Sequence, residues 1–182
     1  MRAAAVSNTT PASRFWLISL AMLGLGVLFL VGVPTAAFAQ DEARAVTLGR
    51  QIYAGKANCS QCHGWHANGF SSHMGNGPSL RTTSLDREGL VETISCGRPG
   101  TYMPYHIALA FTPSFPCYGI SDKADLGGLG TAVGIPLQPR EINNLVEFLL
   151  KEVVGAGPIT LEYCIRYYGP ESRNCDEYRG GA

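Results

Sequence analysis

Cys59-Ser60-Gln61-Cys62-His63 sets two thiols one helical turn apart, with an imidazole directly behind them. In an exported protein, C-x-x-C-H reads as the attachment site of a c-type haem. The two thiols add to the two vinyl groups of one porphyrin. His63 then falls under the ring and offers a nitrogen to the iron. A C-x-x-C redox pair is one rival reading, but it has no use for the histidine. Half of a zinc site is another, but it needs two more ligands at close spacing. The other four cysteines, at 96, 117, 164 and 175, are widely scattered.

The haem reading depends on export, and the N-terminus supports it. Arg2 and Arg14 flank a polar start, and residues 15–33 are apolar apart from glycines and one serine. Pro34-Thr35 leads into Ala37-Phe38-Ala39, an A-x-A cleavage box. Residues 1–39 therefore read as a signal peptide, and cleavage after Ala39 leaves 40–182. The alternative is an uncleaved anchor, because the apolar run is nearly long enough to span a bilayer. Periplasmic placement follows, with membrane attachment only if the segment is retained. An oxidising compartment also accommodates six cysteines, as one haem pair and two disulfides.

Length and charge narrow the rest. The 182 residues suggest one domain plus extras. Zero formal net charge supports neither nucleic-acid binding nor a polybasic membrane surface. Without Arg2 and Arg14 there remain 12 basic against 14 acidic residues, a net charge of −2. No second long apolar run follows residue 33, so the mature chain is expected to be soluble.

The elements read as short helices between irregular stretches. Residues 43–53 carry Val46, Leu48, Gly49, Ile52 and Tyr53 near helical spacing. Gly49 weakens such a helix unless another helix approaches it closely. Residues 64–80 read as loop, with Gly64, Gly69, Gly75, Gly77 and Pro78. Ser84 or Asp86 can cap a helix to about Ser95, with Leu90, Val91 and Ile94 on one face. Gly97-Arg98-Pro99-Gly100 ends it, and Met103-Pro104 is extended or turned. Residues 105–138 show no period, although Phe111, Phe115 and Tyr118 suggest packing. The clearest helix is 139–154, with Ile142, Leu145, Val146, Leu149, Leu150 and Val153 on one stripe. Thr160 can cap a last short helix through Tyr168.

An iron held by His63 on one side has one axial position left. A methionine sulfur there favours the ferrous state and raises the potential, as suits a carrier of single electrons. The candidates are Met74, Met103, His66, His73 and His106. Met103 is the best placed, because 40 residues beyond His63 let the chain travel round the ring, and its loop is stiffened by Gly and Pro. Met74, only 11 residues on, is poorly placed to reach the opposite face. His106 is the runner-up, and His66 and His73 read as solvent-facing loop residues.

Four features occur together in one order. They are the helix with Gly49 and Tyr53, then Cys59-x-x-Cys62-His63-Gly64, then Gly77-Pro78-x-Leu80, then Met103-Pro104 before an amphipathic terminal helix. In this the chain resembles a class I monohaem c-type cytochrome over residues 43–105 and 139–154. C-x-x-C-H is specific, while G-P-x-L and M-P are weak singly and strong in that order. The resemblance implies an all-α fold around one covalent haem c. The cytochrome domain would be 40–154, with an insertion at 105–138 and a C-terminal extension at 155–182. It implies thioethers at Cys59 and Cys62, iron ligation by His63 and Met103, and contact of Gly49 with the last helix around residues 145–148. Pro78 would offer its carbonyl to the other ring nitrogen of His63.

The departures are the insertion, the tail and the four extra cysteines. The insertion would either cover the exposed haem edge or form a docking surface. Four cysteines allow three pairings, and the local one, Cys96–Cys117 with Cys164–Cys175, is preferred. Cys96 and Cys117 bracket Met103, so their bridge would close the loop that carries it. The expected function is electron transfer rather than enzymatic catalysis. Partners would be periplasmic redox proteins; by family analogy these are a quinoprotein dehydrogenase as donor and a terminal oxidase as acceptor. The alternatives are a haem c subunit of a larger complex, membrane-bound if the N-terminal segment is retained, and a gas-binding haem sensor.

Overall fold

A computed structural model of the chain describes residues 34–69 and 77–180, with side chains from Phe38 onward. His73 and Met74, and the apolar run 15–33, lie outside the described residues. Among the described residues the regular structure is helical, with no strand. The described residues from Glu42 onward form one compact unit, and residues 34–41, which belong to a separate one, are helical.

The first helix, α1, is Pro34–Gln51, continued by one wide turn over Ile52–Lys56. It begins nine residues before the start expected from apolar spacing and takes in Ala37-Phe38-Ala39. Its first half holds three Ala with one Gln and one Glu, which favour helix whatever their polarity pattern. A single turn, α2, is Ser60–His63. Helix α3 is Arg87–Cys96, and of the two candidate caps Asp86 is the one used, its Oδ1 accepting from Gly89 N at 2.9 Å.

Helix α4 is Pro139–Phe148, followed by a wide turn over Leu149–Val153. Pro139 occupies its first turn, and Gln138 and Glu141 form a reciprocal capping box, with Gln138 N donating to Glu141 at 2.8 Å. Its apolar stripe is buried through Ile142, Leu145, Val146, Phe148, Leu149 and Val153. These join Ile52 and Tyr53 of the α1 extension and Leu90 and Ile94 of α3 in one core. Each fully buried aliphatic or aromatic side chain contributes about 1.5–3 kcal/mol. The ion pairs that tie the same elements, Lys56–Glu141 and Arg87–Glu147 at 2.7 Å, are partly exposed. Such pairs contribute about 1 kcal/mol or less, so burial decides the packing.

Gly49 is where α1 and α4 touch. A Cβ at Gly49 would stand 2.0 Å from Asn144 O and 2.7 Å from Phe148 Cβ. Only a residue without a side chain allows that approach. Tyr53, fully buried, lies one turn further on, with its ring 5.5 Å from that of Phe148.

Residues 105–138 have no regular element apart from a 3-10 turn over Lys123–Leu126. They nonetheless carry a second small core of Cys96, Tyr105, Ala110, Phe111, Cys117 and Leu126. Cys96 and Cys117 are joined, Sγ to Sγ, at 2.06 Å. Tyr105 pairs with Val133 in a parallel bridge, so residues 129–135 run beside the segment that follows Met103.

In the tail, α5 is Leu161–Tyr168, capped by Thr160, and α6 is Asp176–Arg179. Cys164 and Cys175 are joined at 2.03 Å. The rings of Tyr163, Tyr167, Tyr168 and Tyr178 all lie within 6.2 Å, centroid to centroid, of Trp65. The tail is thus laid on the residue two places after His63.

Candidate haem site

The single turn α2 brings the three motif side chains together. His63 N donates to Cys59 O at 2.9 Å and Cys62 N to the same oxygen at 3.1 Å. Gly64 ends the turn at φ 77°, and the buried Tyr53 hydroxyl donates to its carbonyl at 2.7 Å. Burial and the nearby Tyr167 and Tyr163 push the Tyr53 hydroxyl far above the ordinary phenol range, so it stays a donor. That bond ties the motif to α1.

Cys59 and Cys62 are the free cysteines; the other four are paired. The paired ones are therefore not available to complete a zinc site with Cys59 and Cys62. Cys59 packs against the main core, and burial pushes its thiol up to about 12, with Cys62 adding to the shift.

His63 is 6% exposed, and its Nδ1 stands 2.8 Å from Pro78 O. A carbonyl oxygen only accepts, so Nδ1 carries the hydrogen and Nε2 keeps its lone pair. Gly77 makes room for this arrangement, since a Cβ there would lie 2.9 Å from His63 Nδ1. Gly77 N also donates to Cys62 O at 2.7 Å, closing the segment onto the motif. Burial lowers the His63 pKa, the Pro78 bond opposes this, and the Arg98 charge lowers it further. The net lowering favours a neutral imidazole with one bare nitrogen, the form a metal needs.

Arg98 also locates Met103. Arg98 N donates to Met103 O at 3.0 Å, and Thr101 Oγ1 accepts from Met103 N at 3.1 Å. The residue whose charge is felt at His63 is therefore the one that holds the Met103 backbone. Met103 itself is half-buried. Two free thiols on one turn, an imidazole with a bare Nε2 and a loop methionine suit a covalently attached haem.

The remaining candidates fall elsewhere. His66 is half-buried, with its ring 4.7 Å from that of Trp65. Its backbone carbonyl accepts from Arg81 at 3.1 Å. His106 is 3% exposed, with Nδ1 2.8 Å from Ile135 O. Sequence reasoning passed over Trp65, Arg81 and Arg98, whose partners are distant in the chain or are backbone atoms. Gly77 was read only as part of a motif, and its contact with the imidazole is the reason the glycine stands there.

Residues 44–113 match the family described as Cytochrome C oxidase, cbb3-type, subunit III. The matched stretch holds Cys59, Cys62, His63, Pro78 and Met103, and it stops within residues 105–138. Comparison with curated proteins and with solved structures gives no match.

Proposed function

We propose that this chain, whose residues 44–113 are a c-type cytochrome domain that binds haem c and serves haem-based electron transfer, is an exported carrier of single electrons. The haem supplies a metal that changes charge by one without forming or breaking substrate bonds. Cys59 and Cys62 would hold the porphyrin, and His63 Nε2 and Met103 Sγ would hold the iron. Pro78 would orient the His63 ring. The observation that carries this reading is the His63 Nδ1 to Pro78 O contact at 2.8 Å, on the turn that bears the two free cysteines. Periplasmic redox proteins would be the partners, a dehydrogenase giving electrons and a respiratory oxidase taking them.

A second reading is favoured by the family's printed description, which names a subunit of an oxidase. In it the chain is a haem c subunit of a larger complex, with the insertion and the tail as interface elements and residues 1–39 retained as an anchor.

Spectroscopy of protein matured with haem-attachment machinery tests the proposal. The colour is expected to survive acidified organic solvent, and a Met–ferric charge-transfer band to vanish in Met103→Ala. A colourless protein, or pigment lost to the solvent, refutes it. A stable co-purifying partner, or an intact N-terminus recovered from membranes, selects the second reading over the first.

A further inference from the structure

His106 has no part in the site as described above, yet it is held as His63 is held. In His63, Nδ1 meets Pro78 O at 2.8 Å, and a Cβ on the preceding Gly77 would stand 2.9 Å from Nδ1 and 3.0 Å from Cε1. In His106, Nδ1 meets Ile135 O at 2.8 Å, and a Cβ on the preceding Gly134 would stand 2.7 Å from Nδ1 and 2.5 Å from Cε1. Each time a glycine clears the Nδ1–Cε1 edge of the ring and the next residue's carbonyl engages Nδ1, while at His106 the glycine also lies beside Nε2, where a Cβ would stand 3.1 Å away. In each imidazole Nδ1 is engaged as the donor, which leaves Nε2 as the nitrogen able to offer a lone pair.

Two further observations bear on what that lone pair is for. Among the described residues, His106 Nε2 has no hydrogen-bond partner, although the residue is 3% exposed. His106 also hangs from the same end of α3 as Met103. The backbone N–H groups of His106 and Ile107 both donate to Ser95 O at 3.1 Å, and Arg98 N, three residues beyond Ser95, donates to Met103 O. A buried histidine with a satisfied Nδ1 is ordinarily a packing residue. The repeated cradle, the bare Nε2 and the shared anchorage with Met103 together set His106 apart.

We propose that His106 is a second iron ligand held in reserve, whose Nε2 takes the sixth position when Met103 Sγ leaves it. The inference rests on the haem reading above. In the exchange the iron–sulfur bond breaks and an iron–nitrogen bond forms. No electron moves; the Nε2 lone pair forms the new bond, and any proton Nε2 carried passes to solvent. Nitrogen favours the ferric state where methionine sulfur favours the ferrous one, so the two ligands would give the carrier two potentials, the lower with His106 bound.

The test uses the full chain carrying thioether-bound haem, in Met103→Ala and in Met103→Ala/His106→Asn. Asparagine can still donate to Ile135 O but offers no ligand nitrogen. Ferric Met103→Ala is expected to stay low-spin, with the electron paramagnetic resonance signature of two imidazoles, and the double variant to turn high-spin. A high-spin Met103→Ala overturns the proposal, and so does a double variant that stays low-spin. If Met103→Ala fails to accumulate, wild type and His106→Asn are compared in mild urea. A low-spin, nitrogen-ligated ferric species is then expected in wild type alone, and its presence in both or in neither overturns the proposal. Wild type without covalent haem overturns the electron-carrier reading and this inference with it.

Discussion

At Gly77 a single hydrogen atom stands where a methyl would touch an imidazole. Gly77→Ala puts a carbon 2.9 Å from His63 Nδ1, closer than carbon and nitrogen tolerate, and Cys62 O at 3.1 Å blocks retreat. The ring must tilt, stretching its bond to Pro78 O. Overpacking of this kind costs about 1–3 kcal/mol. Gly77→Ala is therefore expected to lower the denaturation midpoint of the haem-loaded protein and to shift its visible spectrum; an unchanged spectrum and midpoint would refute the contact. What the sequence disclosed at this scale was set by covalent chemistry. Cys59, Cys62 and His63 were legible because covalent haem attachment, where it occurs, demands that one spacing. Trp65 was not, because its partners lie at 163–178 and ring contacts leave no local period.

Among the elements, the crossing of α1 and α4 sets two opposed effects against each other at Gly49. Alanine there favours helix by about 1 kcal/mol. Its Cβ would also overlap Asn144 O at 2.0 Å, and that atom is backbone. Forcing two packed helices apart costs about 3 kcal/mol, so the clash wins. Gly49→Ala is expected to destabilise by roughly 2 kcal/mol net, measured by chemical denaturation; a stabilised variant would show that the helices do not touch there. The capping box of α4 gives a pH signature. Bonding to the Gln138 N–H, then to Lys56, holds the Glu141 pKa below its ordinary value of about 4.5. A depressed carboxylate contributes its stability above its unfolded pKa and loses it as the pH falls through the folded one. Glu141→Ala is expected to cost roughly 0.5–1 kcal/mol at neutral pH, with the gap to wild type closing below about pH 4. Melting curves of both proteins from pH 7 to pH 3 check this, and a gap that widens on acidification contradicts it. The stripe of α4 and the turn that follows it was legible because its six apolar residues keep helical spacing over about three turns. The wide turns at Ile52–Lys56 and Leu149–Val153 were not, because one widened turn shifts the stripe too little to show in its spacing.

Over the molecule as a whole, residues 105–138 and the tail after residue 155 are each built round one cysteine pair and serve different neighbours. Residues 105–138 were unreadable as elements because their order comes from a core of six buried residues, two of them the bonded cysteines, and from bridges that join 105 to 133. The Cys96–Cys117 pair closes the loop carrying Met103, whereas Cys164–Cys175 closes a tail whose rings lie on Trp65. Loop-closure entropy for separations of 21 and 11 residues puts each bridge at roughly 3 kcal/mol, so stability alone does not tell them apart. Their readouts should. Replacing Cys96 and Cys117 by serine frees the small core behind Met103 and is expected to weaken the Met–ferric band along with stability. Replacing Cys164 and Cys175 loosens Tyr163, Tyr167 and Tyr168 from Trp65, and is expected to red-shift and raise tryptophan accessibility to quenchers while leaving that band in place. If the tail variant loses the band and the loop variant keeps it, Met103 is not held by the Cys96–Cys117 loop, and the iron takes its sixth ligand from elsewhere.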